Sequence, residues 1–431
     1  MAALTSTRLP RLTGVARGGL AGLMGAGIGA TAQFGVVVLV TRGTGQEAAG
    51  TFFTATALCL MAGGILRMDA GNGLIYFIAR SRPFGYRCTR GYVRAALVPV
   101  AILSLLVGAA AALAAPDPTV RVLAAALPVM VCADIVVAAT RGSGAMRPTV
   151  LLDGMLQPVT QLVLIGAVVL TGAESVPLLA AAWALPSLPV LVLSVLWLRR
   201  RLPYTHHLPG TAHDFWRYTW PRSMAAAIQA VFQRFDIVVV AVLAGPVEAA
   251  VYTAATRFKV VGQLVNQGLA QAVQPRLVRA LAGGDLARSR ELYQSATMWL
   301  VLLTWPIWLG YAVLAPWLLD LFGGDYASGV PVALVLAVTM MLATACGMAD
   351  VVLTSAGHTG SSLANLVAAI AVTVALDVAL VPACGALGAA LGWAGGMLVK
   401  NLLPLWLIHR RYGLRPFGVH SLAALTSWRV R

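Results

Sequence analysis

Polar side chains recur at helical spacing inside four otherwise apolar stretches of this 431-residue chain. Residues three, four, seven or eight apart share one face of a helix, so each set forms a stripe. A lipid-facing stripe of amides would be costly, because hydrocarbon cannot hydrogen-bond to it. The stripes therefore predict a hydrated cavity, with hydrogen bonding between helices as the alternative for any single glutamine. The predicted cavity-lining residues are Gln157, Gln161, Gln229, Gln233, Gln263, Asn266, Gln267 and Gln271.

Four cations in or near the apolar stretches could bind an anionic substrate. A guanidinium group binds two phosphate oxygens at once, so convergence of these cations would form a site for a pyrophosphate. Salt bridges to nearby acids are the alternative for each arginine. The side chain of Arg67 could also reach the membrane interface. The predicted substrate-binding residues are Arg67, Arg234, Arg257 and Lys259.

Acidic residues in the same stretches could carry a coupling ion, and the candidates are Asp69, Asp236 and Asp377. Arg67 and Asp69 are two residues apart, so they point to different sides of a helix. The same spacing separates Arg234 from Asp236. Each of these charges therefore needs a partner on another helix or a ligand.

The elements that must position these residues are membrane-spanning helices. Hydrophobic residues make up 59% of the chain, charged residues make up 11%, and the mean hydropathy is +0.83. Soluble domains carry about 25% charged residues, so this composition excludes a cytosolic enzyme, a nucleic-acid-binding domain and a disordered chain. We expect an all-α, polytopic membrane protein with about 12 transmembrane helices. The predicted spans are 18–41, 49–67, 92–115, 121–140, 150–172, 175–198, 223–244, 248–272, 294–319, 328–353, 361–383 and 386–408.

The longest predicted internal loop divides these spans into two halves of six. Short matches suggest that the halves are related, for example Glu47-Ala48-Ala49 with Glu248-Ala249-Ala250. An even number of spans in each half keeps both in the same orientation, related by an axis along the membrane normal. We predict an N-terminal six-helix lobe, a cytoplasmic loop, a C-terminal six-helix lobe and a basic cytoplasmic tail, at 1–198, 199–222, 223–409 and 410–431.

Two local patterns concern packing. Gly388, Gly392 and Gly396 repeat at every fourth residue, which predicts a close approach of helices within the chain. In the predicted loop, the run Phe215-Trp216-Arg217-Tyr218 either lies in the membrane interface or is a plain linker.

The charge distribution predicts the orientation. The formal net charge is +16, with 31 basic and 15 acidic residues. Most arginines fall on one side of the predicted spans, and only Arg42 and Arg121 fall on the other, which places both termini in the cytoplasm. The positive charge therefore needs no nucleic acid to explain it. Only Lys259 and Lys400 are lysines, which together with abundant alanine and glycine indicates a bacterial, GC-rich genome.

Motifs for catalysis and for cofactor or metal binding are absent from the sequence. There is no P-loop, no HExxH motif and no nucleophile elbow, and the five cysteines form no CxxC pair. We therefore expect a protein that is not an enzyme and that uses no cofactor and no metal.

Several segments resemble a known family of exporters. They are Phe235-Asp236 through Gly245, Ala249 through Arg257, Gly357-His358-Thr359 followed by Asn365, and Leu376 through Pro382 followed by Gly385 through Ala390. These segments are similar to the polysaccharide flippase branch of the multidrug/oligosaccharidyl-lipid/polysaccharide (MOP) exporter superfamily. The lipid II flippases of that superfamily have two further helices, which this sequence lacks.

The resemblance implies two six-helix lobes around a central cavity that opens alternately to each side of the cytoplasmic (inner) membrane. It implies transport of a polyprenyl-pyrophosphate-linked oligosaccharide from among the membrane lipids, with H⁺ or Na⁺ as coupling ion. Polysaccharide polymerase or assembly proteins are the implied partners. A cationic cavity is common in the family, which agrees with Arg234, Arg257 and Lys259.

Two other functions remain open from the sequence. A drug or organic-cation antiporter of the same fold would favour an acidic, aromatic cavity, whereas the charged residues of these spans are at least as basic as acidic. A non-transporting scaffold for a glycan assembly complex would not need four polar stripes.

Overall fold

The computed structural model of the chain describes residues 12–81, 89–172, 175–201 and 210–421. Within those ranges all regular structure is helical and no residue lies in a β-strand. The first eight α-helices, α1 to α8, are Leu12–Gly43, Gln46–Leu66, Ala70–Ser81, Thr89–Ala114, Pro118–Gly142, Gln157–Leu170, Val176–Ala184 and Ser187–Arg201. The next eight, α9 to α16, are Thr211–Phe232, Phe235–Ala244, Pro246–Thr256, Lys259–Ala282, Leu286–Asp320, Val330–Ala345, Ala349–Ser355 and Thr359–Tyr412.

Two short segments continue these helices with altered winding. Thr149–Leu156, directly before α6, is π-helical, and Gly324–Gly329, directly before α14, is a 3-10 helix. π-helical turns widen the backbone locally and are frequent at functional sites.

The polytopic, all-α architecture expected from the composition is confirmed. In the described part of the chain, nine helices are long and apolar enough to span a membrane, and the bent pair α9 and α10 makes a tenth. Helix α16 has 54 residues and contains a break at Gly385, where φ is 55° and ψ is −132°, so it comprises two helices. The remaining predicted span corresponds to α11 and α12. Helix α12 is too polar for the same criterion, because it carries Lys259, Asn266 and four glutamines.

The chain divides into two compact units. The first consists of Met1–Thr44 with Ala55–Arg234, and the second consists of Gly45–Thr54 with Phe235–Arg431. Helix α2 therefore contributes its first turns to unit 2 and the rest to unit 1. The lobe boundaries predicted at 198 and 223 stay a prediction.

An aromatic cluster holds the start of α9 within unit 1. Phe215 is completely buried, and its ring centroid lies 5.7 Å from that of Phe77 on α3. Tyr218 stacks on Tyr76 at 4.4 Å, and the indole nitrogen of Trp216 donates to the Ala95 carbonyl at 3.1 Å. The run that the sequence left as interfacial or as a linker is thus a packed helix, because its aromatic face finds apolar partners on α3 and α4. Residues 202–209 of the predicted loop lie outside the described part.

The glycine repeat of α16 packs against the same helix across its break, as predicted. A Cβ atom at Gly388 would lie 2.5 Å from the carbonyl oxygen of Leu380. A Cβ atom at Gly396 would lie 2.8 Å from the Ala369 carbonyl oxygen and would overlap the hydroxyl of Thr373. Glycine is needed at these positions because the two halves of α16 are in backbone contact there.

The carboxylate of Glu248 stabilises the break itself. Its Oε2 accepts a hydrogen bond from the Ala386 backbone N–H at 2.7 Å, so it caps the first turn of the helix that follows Gly385. Gly385 has a positive φ and its Cα faces Glu248, so any side chain would be strained and would overlap the carboxylate.

We predict that Gly396→Ala destabilises the protein by about 2 kcal/mol, because the added methyl group overpacks a backbone contact that cannot relax. The matched control is Gly310→Ala in the middle of α13, where a Cβ atom would have no described atom within 4 Å. That control should be neutral or stabilising by up to about 1 kcal/mol. Thermal unfolding of the detergent-purified variants measures both, and equal melting temperatures would contradict the packing.

Candidate functional site

Two of the four predicted substrate-binding cations lie at breaks in two spans. The sequence predicted continuous helices at 223–244 and 248–272, but the structure interrupts the first between α9 and α10 and the second between α11 and α12. Arg234 lies in the first break and Arg257 in the second. The last carbonyl groups of a helix carry partial negative charge, so a cation is stabilised at its C-terminus. The sequence did not predict these two helix breaks, because neither contains a proline or a glycine.

In unit 2, Asp236 lies at the centre of a group of polar side chains. Its Oδ2 is 3.5 Å from Lys259 Nζ and accepts a 2.8 Å hydrogen bond from the Tyr252 hydroxyl. Its Oδ1 accepts from the Ile237 backbone N–H at 3.0 Å, at the N-terminus of α10 where anions are favoured. The side chains of Asp236 and Lys259 are only 15% and 14% exposed.

Lys259 and Arg257, the two predicted substrate-binding cations that belong to unit 2, also contact aromatic rings. Lys259 Nζ lies 4.6 Å from the ring centroid of Trp393 and 5.5 Å from that of Tyr252. The Arg257 guanidinium lies 5.8 Å from the ring centroid of Phe53. Cation–π contacts at these distances stabilise a desolvated cation. Lys259 is therefore enclosed by one carboxylate and two rings rather than open to a ligand in this conformation.

The fourth polar stripe of the sequence comprises Ser361, Asn365, Thr373 and Asp377 on α16, and the structure buries the last three. Asn365, Thr373 and Asp377 are 7%, 3% and 1% exposed. The expectation of a water-lined face was wrong here, because the glycine-rich second half of α16 packs directly onto it. Neither carboxyl oxygen of Asp377 has a hydrogen-bond partner among the described residues.

Unit 1 contains a polar cavity of about 400 Å³. Its wall includes five charged side chains from the corner after α2, from α5 and from the π-helical segment, together with amides from α3 and from the end of α9. The polar residues that line it are Arg67, Asp69, Asn72, Asp134, Arg141, Asp153, Gln229 and Gln233.

Three of the five charged residues that line this cavity form ion pairs. Arg67 Nη1 donates to Asp134 Oδ2 at 2.9 Å, and both side chains are more than 40% exposed. Arg222 Nε donates to Asp69 Oδ2 at 2.7 Å, and the Asp69 side chain is only 9% exposed. Asp153 projects from the π-helical segment into the same cavity.

The backbone between α2 and α3 is strained where it meets this cavity. Met68 and Asp69 have φ angles of 44° and 52°, which are rare for residues other than glycine. The Ser223 hydroxyl donates to the Met68 carbonyl at 2.5 Å, and Asn72 Nδ2 donates to Asp69 Oδ1 at 2.6 Å. With the Arg222 contact, these bonds hold the corner in place. Asp69 is thus a structural acceptor here, not an open ion-binding group.

The predicted cavity amides divide between two roles. Gln229 and Gln233 line the unit 1 cavity, and Asn266 is exposed. Gln161 is 2% exposed, accepts from Gln33 at 2.6 Å and donates to the Trp183 carbonyl at 2.8 Å, so it joins helices instead of lining a cavity. Gln157 is half-buried and does not line the unit 1 cavity. The side chains of Gln263, Gln267 and Gln271 lie outside the described part of the structure.

Four charged residues of unit 1 were missed as site residues. Asp134 and Asp153 were visible as intramembrane acids, a signal sufficient to include them. Arg141 and Arg222 had the sequence signature of cytoplasmic loop arginines, so no pattern distinguished them.

Comparisons with known proteins agree with this architecture. The profile of the family described as Polysaccharide biosynthesis protein matches residues 15–281, which is more than half of the chain. The MatE family profile matches residues 221–379. No curated protein sequence matched the chain.

Several solved structures share the fold. A multidrug resistance MATE family transporter of the MOP superfamily, in an inward-facing conformation, is 19% identical, with 89% of this chain and 94% of that chain covered and a TM-score of 0.69. Lipid II flippase MurJ in an inward closed conformation is 12% identical, with 96% and 92% covered and a TM-score of 0.71. A MOP superfamily transporter from Pyrococcus furiosus, described with a binding pocket of reversed polarity, is 19% identical, with 93% and 95% covered and a TM-score of 0.58. At these identities the likeness establishes the fold.

We predict that the two ion pairs of unit 1 differ in their contribution to stability. Asp69→Asn, which keeps a residue tolerated at positive φ, should cost about 1–2 kcal/mol, because it weakens a charge-assisted bond to Arg222. Asp134→Asn is the matched comparison and should cost less than about 1 kcal/mol, because its pair with Arg67 is exposed. Melting temperatures of the purified variants provide the test, and a larger loss for Asp134→Asn would exclude the proposed role of Asp69.

Proposed function

Because this chain belongs to the polysaccharide biosynthesis protein family of the MOP superfamily, we propose that it transports a polyprenyl-pyrophosphate-linked oligosaccharide across a membrane by alternating access. The observation that carries the proposal is the position of Arg234 and Arg257 at breaks in two spans. In transporters, discontinuous membrane-spanning helices commonly form the substrate site.

The chemistry of the substrate fits these cations. A pyrophosphate carries several anionic oxygens, and guanidinium groups bind such oxygens in pairs. Arg257 is partly exposed and its guanidinium group lies over an aromatic ring, a contact that stabilises a cation. Arg67 is exposed in the unit 1 cavity and could exchange its Asp134 partner for a substrate oxygen.

The unit 1 cavity fits the glycan part of such a substrate. Its wall carries amides and carboxylates, which hydrogen-bond to sugar hydroxyl groups. The prenyl tail would remain in the lipid, because its burial in a polar cavity would be unfavourable. We place the protein in the cytoplasmic membrane with both termini in the cytoplasm, where polysaccharide polymerase or assembly proteins would be its partners.

Coupling to H⁺ or Na⁺ would involve the carboxylates of unit 2. Asp377 is a buried carboxyl group with no hydrogen-bond partner among the described residues, and Asp236 shares its surroundings with a lysine. Asp69 is a weaker candidate because Arg222 and Asn72 occupy both of its oxygens.

The second candidate function is antiport of organic cations. One observation favours it, since the unit 1 cavity wall carries three aspartates, Asp69, Asp134 and Asp153, against two arginines. The MatE match and the MATE transporter structures point in the same direction. The pairing of two of these acids with Arg67 and Arg222 reduces the negative charge that a cationic drug would meet.

We predict that a strain lacking this protein accumulates one defined polyprenyl-pyrophosphate oligosaccharide. The blocked substrate should remain on the cytoplasmic leaflet and disappear on re-expression. Mass spectrometry of extracted lipids measures it. Normal lipid-linked glycans combined with greater sensitivity to cationic dyes would favour the antiporter instead.

We predict that Arg257→Ala lowers transport at least about tenfold, because it removes charged hydrogen bonds to the substrate. Arg257→Lys should retain part of the activity as a point charge. Clearance of the accumulated lipid by each variant, at matched membrane abundance, is the readout. Arg288→Ala is the control, because Arg288 is exposed and pairs with Glu291. Equal clearance by Arg257→Ala and the control would contradict a substrate role for Arg257.

A further inference from the structure

One end of unit 2 carries more arginines than its acids can balance. A hydrophobic cluster at this end joins Leu277 of α12, Tyr293 of α13 and Leu414, which follows α16. The stretches 276–291, 349–358 and 405–421 contribute to this cluster or flank it in sequence. Their arginines are Arg276, Arg279, Arg288, Arg290, Arg410, Arg411 and Arg415, and their acids are Asp285, Glu291 and Asp350.

The three acids at this end are already engaged. Asp285 accepts a hydrogen bond from the Arg288 backbone N–H at 2.8 Å, and Glu291 pairs with the Arg288 side chain at 2.6 Å. Asp350 accepts from the Ser362 hydroxyl at 2.6 Å. Such an excess of positive charge attracts an anionic partner. The exposed arginines that form no ion pair with a described residue are Arg290, Arg410, Arg411 and Arg415.

The last turns of α16 have the composition of a membrane interface. Trp406 is 54% exposed, and the guanidinium group of Arg410, one turn later, lies 5.3 Å from the centroid of its ring. Tryptophan is enriched at the boundary between hydrocarbon and headgroups, and arginines at helix ends reach the headgroups. This turn therefore places Arg410 and its neighbour Arg411 at the level of lipid phosphates.

The segment that follows α16, residues 413–421, is fixed to unit 2 at several points. Leu414 is completely buried in the hydrophobic cluster. The side chain of Gln294 on α13 donates to the Arg415 carbonyl at 3.4 Å and accepts from the His420 backbone N–H at 3.3 Å. The residues between these two hydrogen bonds are therefore held in a defined turn.

This turn presents apolar side chains outward. Phe417 and Val419 are 44% and 82% exposed, and Arg415 beside them is exposed as well. Because Gln294 holds both flanks of the turn, these side chains cannot fold back onto the cluster without breaking its hydrogen bonds. Exposed phenylalanine and valine gain nothing in water, whereas insertion into a lipid interface would remove their apolar surface from water.

The combination of charge and apolar surface favours lipid over other occupants. A soluble phosphate would contact the arginines but would leave Phe417 and Val419 exposed. A second copy of this chain in a two-fold dimer would bring the same positive surface against itself, which is electrostatically unfavourable. An anionic phospholipid supplies both a phosphate for guanidinium groups and acyl chains for the apolar side chains.

We propose that the end of α16 and the 413–421 segment form a docking surface for anionic phospholipids. Phe417 and Val419 insert between the acyl chains, and the surrounding arginines bind the headgroup phosphates. Residues 422–431 of the predicted basic tail lie outside the described part of the chain. The proposal is independent of the transport function, because the surface shares no residue with the candidate site. The phosphate-binding arginines are Arg290, Arg410, Arg411 and Arg415.

The test titrates phosphatidylglycerol or phosphatidylcholine of equal chain length onto the detergent-purified full-length protein, and intact-protein mass spectrometry measures the bound lipid. The wild type should bind phosphatidylglycerol more tightly. Arg415→Gln should weaken this binding about fivefold, the contribution of one arginine near a lipid surface. Arg288→Gln is the matched control, because it removes an equal charge from an arginine that already pairs with Glu291.

Two results would overturn the charged part of the surface. One is equal binding of the two lipids by the wild type. The other is an equal loss of phosphatidylglycerol in Arg415→Gln and Arg288→Gln, because the lipid would then respond only to net charge. The triple variant Arg410→Gln, Arg411→Gln and Arg415→Gln enlarges the expected loss to about a hundredfold if the single substitution is too small to resolve.

A second pair of variants tests the apolar part. Phe417→Ser with Val419→Ser keeps every charge and should weaken phosphatidylglycerol binding about tenfold, because less apolar surface is buried. Leu286→Ser is the control, since Leu286 is exposed at the same end but adjoins Asp285. If the double variant binds like the wild type and inorganic phosphate displaces the lipid, the surface binds soluble anions and the proposal fails.

Light scattering of the same samples separates lipid from a second copy of the chain. The proposal predicts that Phe417→Ser with Val419→Ser leaves the mass of the protein in detergent unchanged. A dimeric wild type that becomes monomeric in this variant, with phosphatidylglycerol binding unchanged, would show that the surface joins two copies and would overturn the proposal.

Discussion

A charged side chain inside a membrane-spanning helix needs a partner or water, because hydrocarbon solvates neither ions nor unpaired polar groups. The two units of this protein meet that constraint differently. Unit 1 keeps Arg67, Asp134 and Asp153 at a polar cavity, where Arg67 and Asp134 form a partly exposed ion pair. Unit 2 encloses Lys259 between a carboxylate and two rings, and it buries Asp377 with no hydrogen-bond partner among the described residues. The side chains of Arg67 and Asp134 are more than 40% exposed, whereas those of Lys259 and Asp236 are 14% and 15% exposed.

The helix breaks connect this electrostatic constraint to conformational change. The break at Arg234 coincides with the point where the chain passes from unit 1 to unit 2, and the break at Arg257 lies within unit 2. The strained corner at Met68 and Asp69 is held by side chains of α9, the helix that ends at the first of these breaks. A ligand that binds Arg234 or Arg257 would therefore contact the chain at a helix break. A ligand shifts a conformational equilibrium only if it binds one conformation more tightly than the other.

The sequence was sufficient to predict the fold and the positions of part of the candidate site. Apolar length predicted the spans, and the four-residue glycine repeat predicted the close packing inside α16, because both depend on local composition. The burial of each polar side chain could not be predicted. Helical spacing shows that Asn365, Thr373 and Asp377 share one face of a helix, but it does not show which residues cover that face. The same limit applies to Gln161, whose amide joins helices through Gln33 and Trp183. The partner of Arg222, Asp69, comes from a distant part of the chain, so no local pattern distinguishes Arg222 from loop arginines.

Reconstitution tests most directly the proposal that the protein moves a lipid-linked pyrophosphate oligosaccharide. The purified protein would be incorporated into vesicles that contain this lipid, and an impermeant glycosidase would report which leaflet holds the glycan. The account predicts that the protected fraction becomes accessible in vesicles with the wild-type protein and stays protected in vesicles without protein or with the Arg257→Ala variant. A glycan that stays protected in wild-type vesicles, together with uptake of an organic cation driven by an ion gradient in the same preparation, would contradict it.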